Sequence, residues 1–238
     1  MTTSQGGLSR RRHVLKARFI TFLTLTLIGI AGALAASWAP WDFVAIIRQA
    51  EKQHGDRYNV RRPLLAWHEM IQSTESADER DKLKRVNDFF NRRLDFRDDL
   101  RHWGQEDYWA TPVETLVRGA GDCEDYAIAK YFTLRRLGIA AERLRITYVK
   151  ALRQNQAHMV LTYYATPASE PLVLDNLDDR IRPGSARRDL LPVYSFNGEG
   201  MYLPGVGGGN RVGDTKKLSR WQDLLTKMRA EGFNIGEG

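Results

Sequence analysis

The segment GAGDCEDY at residues 119–126 constrains the fold of this chain more than any other, because two glycines precede a helix-forming apolar run. Glycine allows the backbone to turn tightly, and Gly138 is typical of a residue that ends a helix. Between them, apolar side chains recur at helical spacing. These positions are Ala127, Ile128, Tyr131, Phe132, Leu134 and Leu137. The sequence therefore predicts a buried helix that begins at Cys123, the only cysteine.

The position of Cys123 suits a reactive thiol. The N-terminus of a helix carries unpaired N–H groups and the positive end of the helix dipole, which lower the pKa of a thiol and favour the nucleophilic thiolate. The alternative is a small buried core residue, which free cysteines often are. This position alone does not decide between the two.

The N-terminal residues have the pattern of an export signal. Five basic residues precede an uncharged run at residues 19–41, which contains the A-x-A cleavage pattern. The basic residues are Arg10, Arg11, Arg12, Lys16 and Arg18. We expect residues 1–36 to form the signal, with cleavage after Ala35. The run is also long enough to stay in the membrane as an anchor.

The net charge does not indicate nucleic-acid binding. The chain carries 36 basic and 29 acidic residues, but five of the basic ones lie in the signal, so 31 face 29 in the remainder. A nucleic-acid-binding surface needs a larger basic excess. We therefore expect no nucleic-acid partner.

Hydrophobic periodicity predicts an α+β fold in three parts. Residues 37–108 have helical spacing and form a helical N-terminal lobe, and residues 109–204 hold the cysteine helix and an antiparallel sheet. A glycine-rich break and a last helix occupy residues 205–238. The predicted strands lie at residues 144–149, 157–164, 171–177, 193–196 and 200–203.

His158 and Asp175 follow the cysteine helix in the order that cysteine catalysis requires. An imidazole must take the proton of the thiol, and a carboxylate or amide must orient that imidazole. His158 begins one predicted strand and Asp175 ends the next. Each alone is typical of a strand or turn residue, but after a Gly-Asp-Cys helix start they indicate a catalytic triad with Cys123.

Four motifs resemble those of the bacterial transglutaminase-like cysteine proteinases of the LapG type. They are WATPVETL at 109–116, GAGDCEDYAIAKY at 119–131, AHMVL at 157–161 and LDNL at 174–177. The similarity extends over residues 41–203, and the DCEDY block is its most specific part.

The resemblance implies a papain-like or transglutaminase-like core and a periplasmic protease. Such a protease cleaves a large surface adhesin near its N-terminus, beside paired alanines, and so releases cells from a biofilm. It also implies control by an inner-membrane receptor that sequesters the protease when cyclic di-GMP is abundant.

The same resemblance assigns roles to single residues. It implies that Cys123 is the nucleophile, His158 the acid and base, and Asp175 the group that orients His158. The backbone N–H of Cys123 is one expected oxyanion donor. The indole N–H of Trp109 is a second candidate, although Trp109 could equally be a core residue.

Three acidic residues surround the thiol and need their own explanation. Asp122, Glu124 and Asp125 are favourable at a helix N-terminus, but their charges would raise the pKa of the thiol. A bound cation removes this conflict, and clustered carboxylates suit calcium. LapG-type enzymes are calcium-dependent, so we expect these three residues to contribute to a calcium site, with Glu142 as a further candidate ligand.

Two other functions remain open from the sequence. A transglutaminase or amidase would use the same acyl-thioester intermediate and resolve it with an amine. A calcium-responsive envelope binding protein without catalysis would keep the fold but not need the thiol. Intact Cys123, His158 and Asp175 favour an endopeptidase over the latter.

Overall fold

The computed structural model describes residues 41–55, 57–205 and 209–235. The predicted export signal or anchor at residues 1–36 lies outside the described residues. None of the described helices is both long and apolar enough to cross a membrane.

The described chain has seven α-helices and nine strands, with most of the helices before the strands of the central sheet. The helices are α1 (Phe43–His54), α2 (Arg57–Thr74), α3 (Glu79–Arg93), α4 (Asp99–Trp103), α5 (Pro112–Arg118), α6 (Cys123–Arg136) and α7 (Ser219–Ala230). The strands are β1 (Asp95–Phe96), β2 (Ala120–Gly121), β3 (Leu144–Ala151), β4 (Gln156–Tyr163), β5 (Leu172–Leu174), β6 (Arg182–Pro183), β7 (Leu190–Asn197), β8 (Gly200–Leu203) and β9 (Asn210–Gly213).

Side-chain caps start three of the helices that lead to the site. Asp42 accepts hydrogen bonds from the N–H groups of Val44 and Ala45, both at 3.0 Å, and so begins α1. Asp78 caps α3 in the same way. At α5, Thr111 and Glu114 form a reciprocal capping box. These bonds satisfy N–H groups that have no partner inside a helix.

The central sheet is antiparallel and has the strand order β6-β5-β4-β3-β7-β8-β9. Helix α6 packs against β3 and β4. The predicted papain-like α+β fold is confirmed, because helices pack on an antiparallel sheet and the cysteine lies at the start of the central helix. Strands β6 and β9 were not predicted, because runs of two and four residues with glycine or proline carry almost no periodic signal.

One hydrophobic cluster joins the three ranges predicted from sequence. Helix α6 contributes Phe132, which stacks on Trp221 of α7 with ring centroids 5.5 Å apart. The helical N-terminal part contributes Trp67, whose indole donates a hydrogen bond to Thr133 at 3.0 Å. Beyond α7, Phe233 lies edge-on to Trp41 at 4.8 Å. The residues after the glycine-rich break therefore complete the core.

Replacing Trp221 with alanine is expected to lower the free energy of unfolding by about 3 to 5 kcal/mol, because the indole is fully buried and its loss leaves a cavity. Urea denaturation measures this loss. The control is Val44→Ala, which removes a side chain that is 67% exposed and should change stability by less than about 0.5 kcal/mol. Equal effects of the two changes would contradict the assignment of α7 to the core.

Candidate active site

A tight connection brings Cys123 to the start of α6. Helix α5 ends at Gly119, whose φ of 66° lies in the left-handed region that glycine adopts readily. Strand β2 then pairs in parallel with β1, and Asp122 occupies the N-cap of α6. The Asp122 side chain makes no capping hydrogen bond, so it is available to its neighbours.

The thiol of Cys123 lies between α6 and β4. It donates a hydrogen bond to Glu124 Oε2 at 3.1 Å and accepts one from the backbone N–H of Met159. Burial raises the pKa of the thiol well above its ordinary value, and the carboxylates of Glu124 and Asp122 raise it further. The bond from Met159 lowers the pKa but does not offset these effects. The like charge expected from sequence is thus present, and burial of the thiol raises its pKa more than the carboxylates do.

His158 and Asp175 form a buried hydrogen-bonded pair. The distance between His158 Nε2 and Asp175 Oδ1 is 2.7 Å, and the two side chains are 2% and 0% exposed. Strand β5 pairs Leu174 with Leu161 of β4, so Asp175 leaves the sheet beside the first half of β4. The structure thus joins His158 with Asp175 directly, and it brings Cys123 to Met159, the residue that follows His158.

Asp175 is held as a carboxylate. Burial alone would raise its pKa, but hydrogen bonds from His158, the N–H of Leu177 and Arg187 lower it to about 2. Arg187 Nη2 lies 2.7 Å from Asp175 Oδ2 and belongs to a side chain that is 4% exposed. Arg187 is not predicted from sequence, because nothing in its local sequence distinguishes it from a surface arginine.

Buried carboxylates converge behind the thiol. One oxygen each of Asp99, Asp122 and Asp125 lies within 4.8 Å of the others, and Asp122 also groups in this way with Glu124 and the Cys123 sulfur. Asp99 Oδ1, Asp122 Oδ1 and Asp125 Oδ2 are buried and have no hydrogen-bond partner among the described residues. Buried oxygens without donors are costly unless a cation binds them. Carboxylate oxygens grouped in this way are the type of ligand that a hard divalent cation binds.

The same crowding raises the pKa values of these carboxyl groups. Burial and the neighbouring carboxylates raise the pKa of Asp122 to about 10 and that of Asp99 to about 6. Burial also raises the pKa of Asp125 well above its ordinary range. Asp99 is not predicted from sequence, because it lies on α4 and only the tertiary fold brings it to Asp122.

The segment before α5 holds the carboxylates in place. The N–H of Ala110 donates to Asp125 Oδ1 at 2.8 Å, and the N–H of Tyr108 donates to Asp99 Oδ2. Trp109, the candidate oxyanion donor, is buried and stacks on Phe196. Its indole N–H donates to Asp107 at 3.0 Å and is therefore already engaged.

Glu142, the further candidate ligand, lies apart from the carboxylate group. It is exposed in the short turn Ala141–Arg143, which follows the C-terminal end of α6. Asp122, Glu124 and Asp125 lie at the opposite end of that helix.

Gly121 is required by the close approach of Asp125. A Cβ atom at Gly121 would lie 2.6 Å from Asp125 Oδ2 and 2.7 Å from its Cβ. We expect Gly121→Ala to displace Asp125 and to weaken metal binding about tenfold or more, measured by calorimetric titration with calcium. The matched control is Gly213→Ala, whose Cβ would make only ordinary contacts, at 3.8 Å and beyond. Unchanged calcium affinity in Gly121→Ala would show that Asp125 does not need its observed position.

Comparison with known proteins identifies the family. A family model described as bacterial transglutaminase-like cysteine proteinase matches residues 65–188. No curated protein matches the chain at a significant level.

Solved structures of LapG from Legionella pneumophila match most of the chain. One is 44% identical, covers 78% of this chain and 95% of its own, and has a TM-score of 0.67. An EGTA-treated form is 44% identical and covers 80% of this chain and 100% of its own, with a TM-score of 0.69. A calcium-bound form is 43% identical and covers 78% and 98%, with a TM-score of 0.67. The family match and the 44% identity show that the chain belongs to the bacterial transglutaminase-like cysteine proteinases.

Proposed function

We propose that this protein is a calcium-dependent cysteine endopeptidase in which Cys123, His158 and Asp175 form the catalytic triad. The observation that carries the proposal is the buried 2.7 Å pair of His158 and Asp175 at the strand that contacts the thiol. Membership of a cysteine proteinase family supports the same reaction class.

Each member of the proposed triad would have its own task. His158 Nε2 is bonded to Asp175, so Nδ1 is the ring nitrogen left to take the thiol proton. The sulfur of Cys123 then attacks the carbonyl carbon of the scissile bond, and the N–H of Cys123 at the helix start stabilises the oxyanion. His158 returns the proton to the leaving amine, and water hydrolyses the acyl-thioester. Asp175, ionised at neutral pH, stabilises the imidazolium.

The carboxylates next to the thiol are the proposed calcium ligands. Asp122, Glu124 and Asp125 would contribute to the site, and Asp99 is a further candidate ligand, because its carboxylate groups with those of Asp122 and Asp125. Bound calcium would supply positive charge that offsets these carboxylates and draws Glu124 away from the thiol proton. The existence of a calcium-bound and an EGTA-treated LapG structure supports calcium as the ion.

The substrate we propose is a large surface adhesin, cut near its N-terminus beside paired alanines in the periplasm. Cutting would release the adhesin and disperse a biofilm. An inner-membrane receptor that responds to cyclic di-GMP would bind the protease and withhold it from the adhesin. The identity of 44% to LapG supports a shared role.

The proposal is tested with the N-terminal fragment of a large alanine-containing adhesin from the same genome. Purified protein and fragment are mixed with calcium or with EGTA, and the products are identified by mass spectrometry. We expect one discrete cut with calcium and none with EGTA.

Two results would replace the proposal. Attachment of an added amine to a glutamine donor, without cleavage, would indicate a transglutaminase. Calcium-dependent binding to the periplasmic domain of the receptor, without any reaction of the adhesin, would indicate a binding protein.

A further inference from the structure

Asp175 is fixed from both sides of its carboxylate. Oδ1 accepts from His158 Nε2 at 2.7 Å and from the N–H of Leu177 at 3.0 Å. Oδ2 accepts from Arg187 Nη2 at 2.7 Å. A carboxylate bonded at only one oxygen could rotate about its bond to Cβ, whereas this one cannot do so without breaking a bond to Arg187.

Arg187 is itself held by a second carboxylate. Its Nε lies 3.0 Å from Asp189 Oδ1 and its Nη2 lies 2.9 Å from Asp189 Oδ2, a bidentate pair. The backbone around it is also anchored, because the N–H of Leu152 donates to the carbonyl of Asp189 at 2.8 Å. The guanidinium therefore bridges Asp175, which is buried, and Asp189, whose side chain is 26% exposed.

The charges of Asp175, Arg187 and Asp189 affect the protonation of the His158 imidazole. Arg187 alone would cancel the charge of Asp175 and so disfavour the imidazolium form of His158. Asp189 offsets Arg187, and the three groups together keep one net negative charge beside the ring. Other charged groups in reach are Lys130, which faces Asp175 from α6 with Asp179 nearby, and Arg153 near Asp189.

We propose that Arg187 is a positioning residue of the active site: it locks the Asp175 carboxylate on His158, and Asp189 compensates its charge so that the imidazolium remains favourable. This inference rests on the proposed function for its effect on catalysis. Its effect on the imidazole does not depend on that function.

Two substitutions with opposite expected signs test the inference. Arg187→Met removes a positive charge, so the pKa of the His158 imidazole should rise by about one unit. Asp189→Asn removes a negative charge and should lower that pKa by a similar amount, about one unit. NMR titration of the imidazole in the full protein measures both values, and a His158→Gln sample assigns the signal. If the two substitutions only loosened the structure, the pKa of His158 would shift in the same direction in both variants.

Cleavage kinetics provide the second readout. Loss of the lock should lower kcat about tenfold or more in Arg187→Met and leave KM nearly unchanged, because Arg187 acts through Asp175. Asp189→Asn is the second variant, and it keeps the inference testable if Arg187→Met does not fold. The matched control is Arg180→Met, which breaks an exposed ion pair with Asp178 and should leave the pKa and kcat unchanged.

The outcomes separate this inference from the proposed function. If the pKa of His158 shifts in opposite directions in the two variants but the wild type cleaves nothing, the charge arrangement is supported and the proposed endopeptidase function is refuted. In the opposite case, the wild type cleaves the substrate while both variants keep its kcat and an imidazole pKa within about 0.3 unit of its value. That result would refute the role of Arg187 and leave the proposed function standing.

Discussion

Replacing Cys123 with alanine is expected to lower the rate of cleavage about 10⁴-fold or more, because the acyl-thioester can no longer form. Serine should be nearly as inactive, since its hydroxyl is a much weaker acid than a thiol and is not deprotonated by His158. The measurement is the initial rate of adhesin cleavage in saturating calcium. A variant without the thiol that retains more than about a tenth of the wild-type rate would contradict covalent catalysis by Cys123.

Calcium binding provides the control for this prediction. The ligands that we propose are the carboxylates around Cys123, not its sulfur. Calorimetric titration should therefore give Cys123→Ala a calcium affinity within about threefold of the wild type. Loss of both cleavage and calcium binding would instead show that the substitution disturbs the whole start of α6.

Removal of calcium is the second change with a large expected effect. An ion that binds only the folded state, at about 1,000 times its dissociation constant, adds about 4 kcal/mol to the free energy of unfolding. We therefore expect EGTA to lower the melting temperature by about 10 °C. Asp122→Asn should abolish most of this shift, and Asp223→Asn, at an exposed position on α7, should preserve it.

The sign of the pH dependence follows from the raised carboxyl pKa values. A carboxyl whose pKa is higher in the folded than in the unfolded state stabilises the fold below its unfolded value, near 3.8, and this contribution disappears as pH rises through the folded value. For Asp99 and Asp122 the folded values are about 6 and about 10.

Without calcium, the free energy of unfolding should therefore fall as pH rises from about 4 towards 10. With calcium it should fall much less, because the cation favours the ionised carboxylates. In EGTA, Asp122→Asn should be more stable than the wild type at pH 8, since the wild-type carboxyl must take up a proton on folding at this pH and the amide need not. Denaturation at several pH values tests each statement, and a calcium-free stability that rises with pH would contradict them.

Local sequence was sufficient for the start of α6 and for the pairing of His158 with Asp175. The glycine turn and apolar spacing are local signals, and they predicted a helix that begins at Cys123, as observed. His158 and Asp175 were predicted from their positions on neighbouring strands, and the structure joins them at 2.7 Å.

Residues that act through tertiary contact could not be found in this way. Asp99 reaches the carboxylate group from α4, and Arg187 reaches Asp175 from the turn before β7. Both have ordinary neighbours in sequence. The start of helix α2 is also hard to predict. Proline usually lies in the first turn of a helix, but α2 begins at Arg57 and has Pro63 in its interior.

The packing of α7 and the residues after it also determines when the protein can fold. Phe233 packs on Trp41, so this part of the core joins residues that are almost 200 positions apart. Contacts between such distant residues slow folding, and these cannot form until residue 233 has left the ribosome. Until then, the aromatic cluster of Trp41, Trp67 and Phe233 is incomplete. A chain whose aromatic cluster is still incomplete suits threading through a membrane translocon, which the periplasmic location that we propose would require.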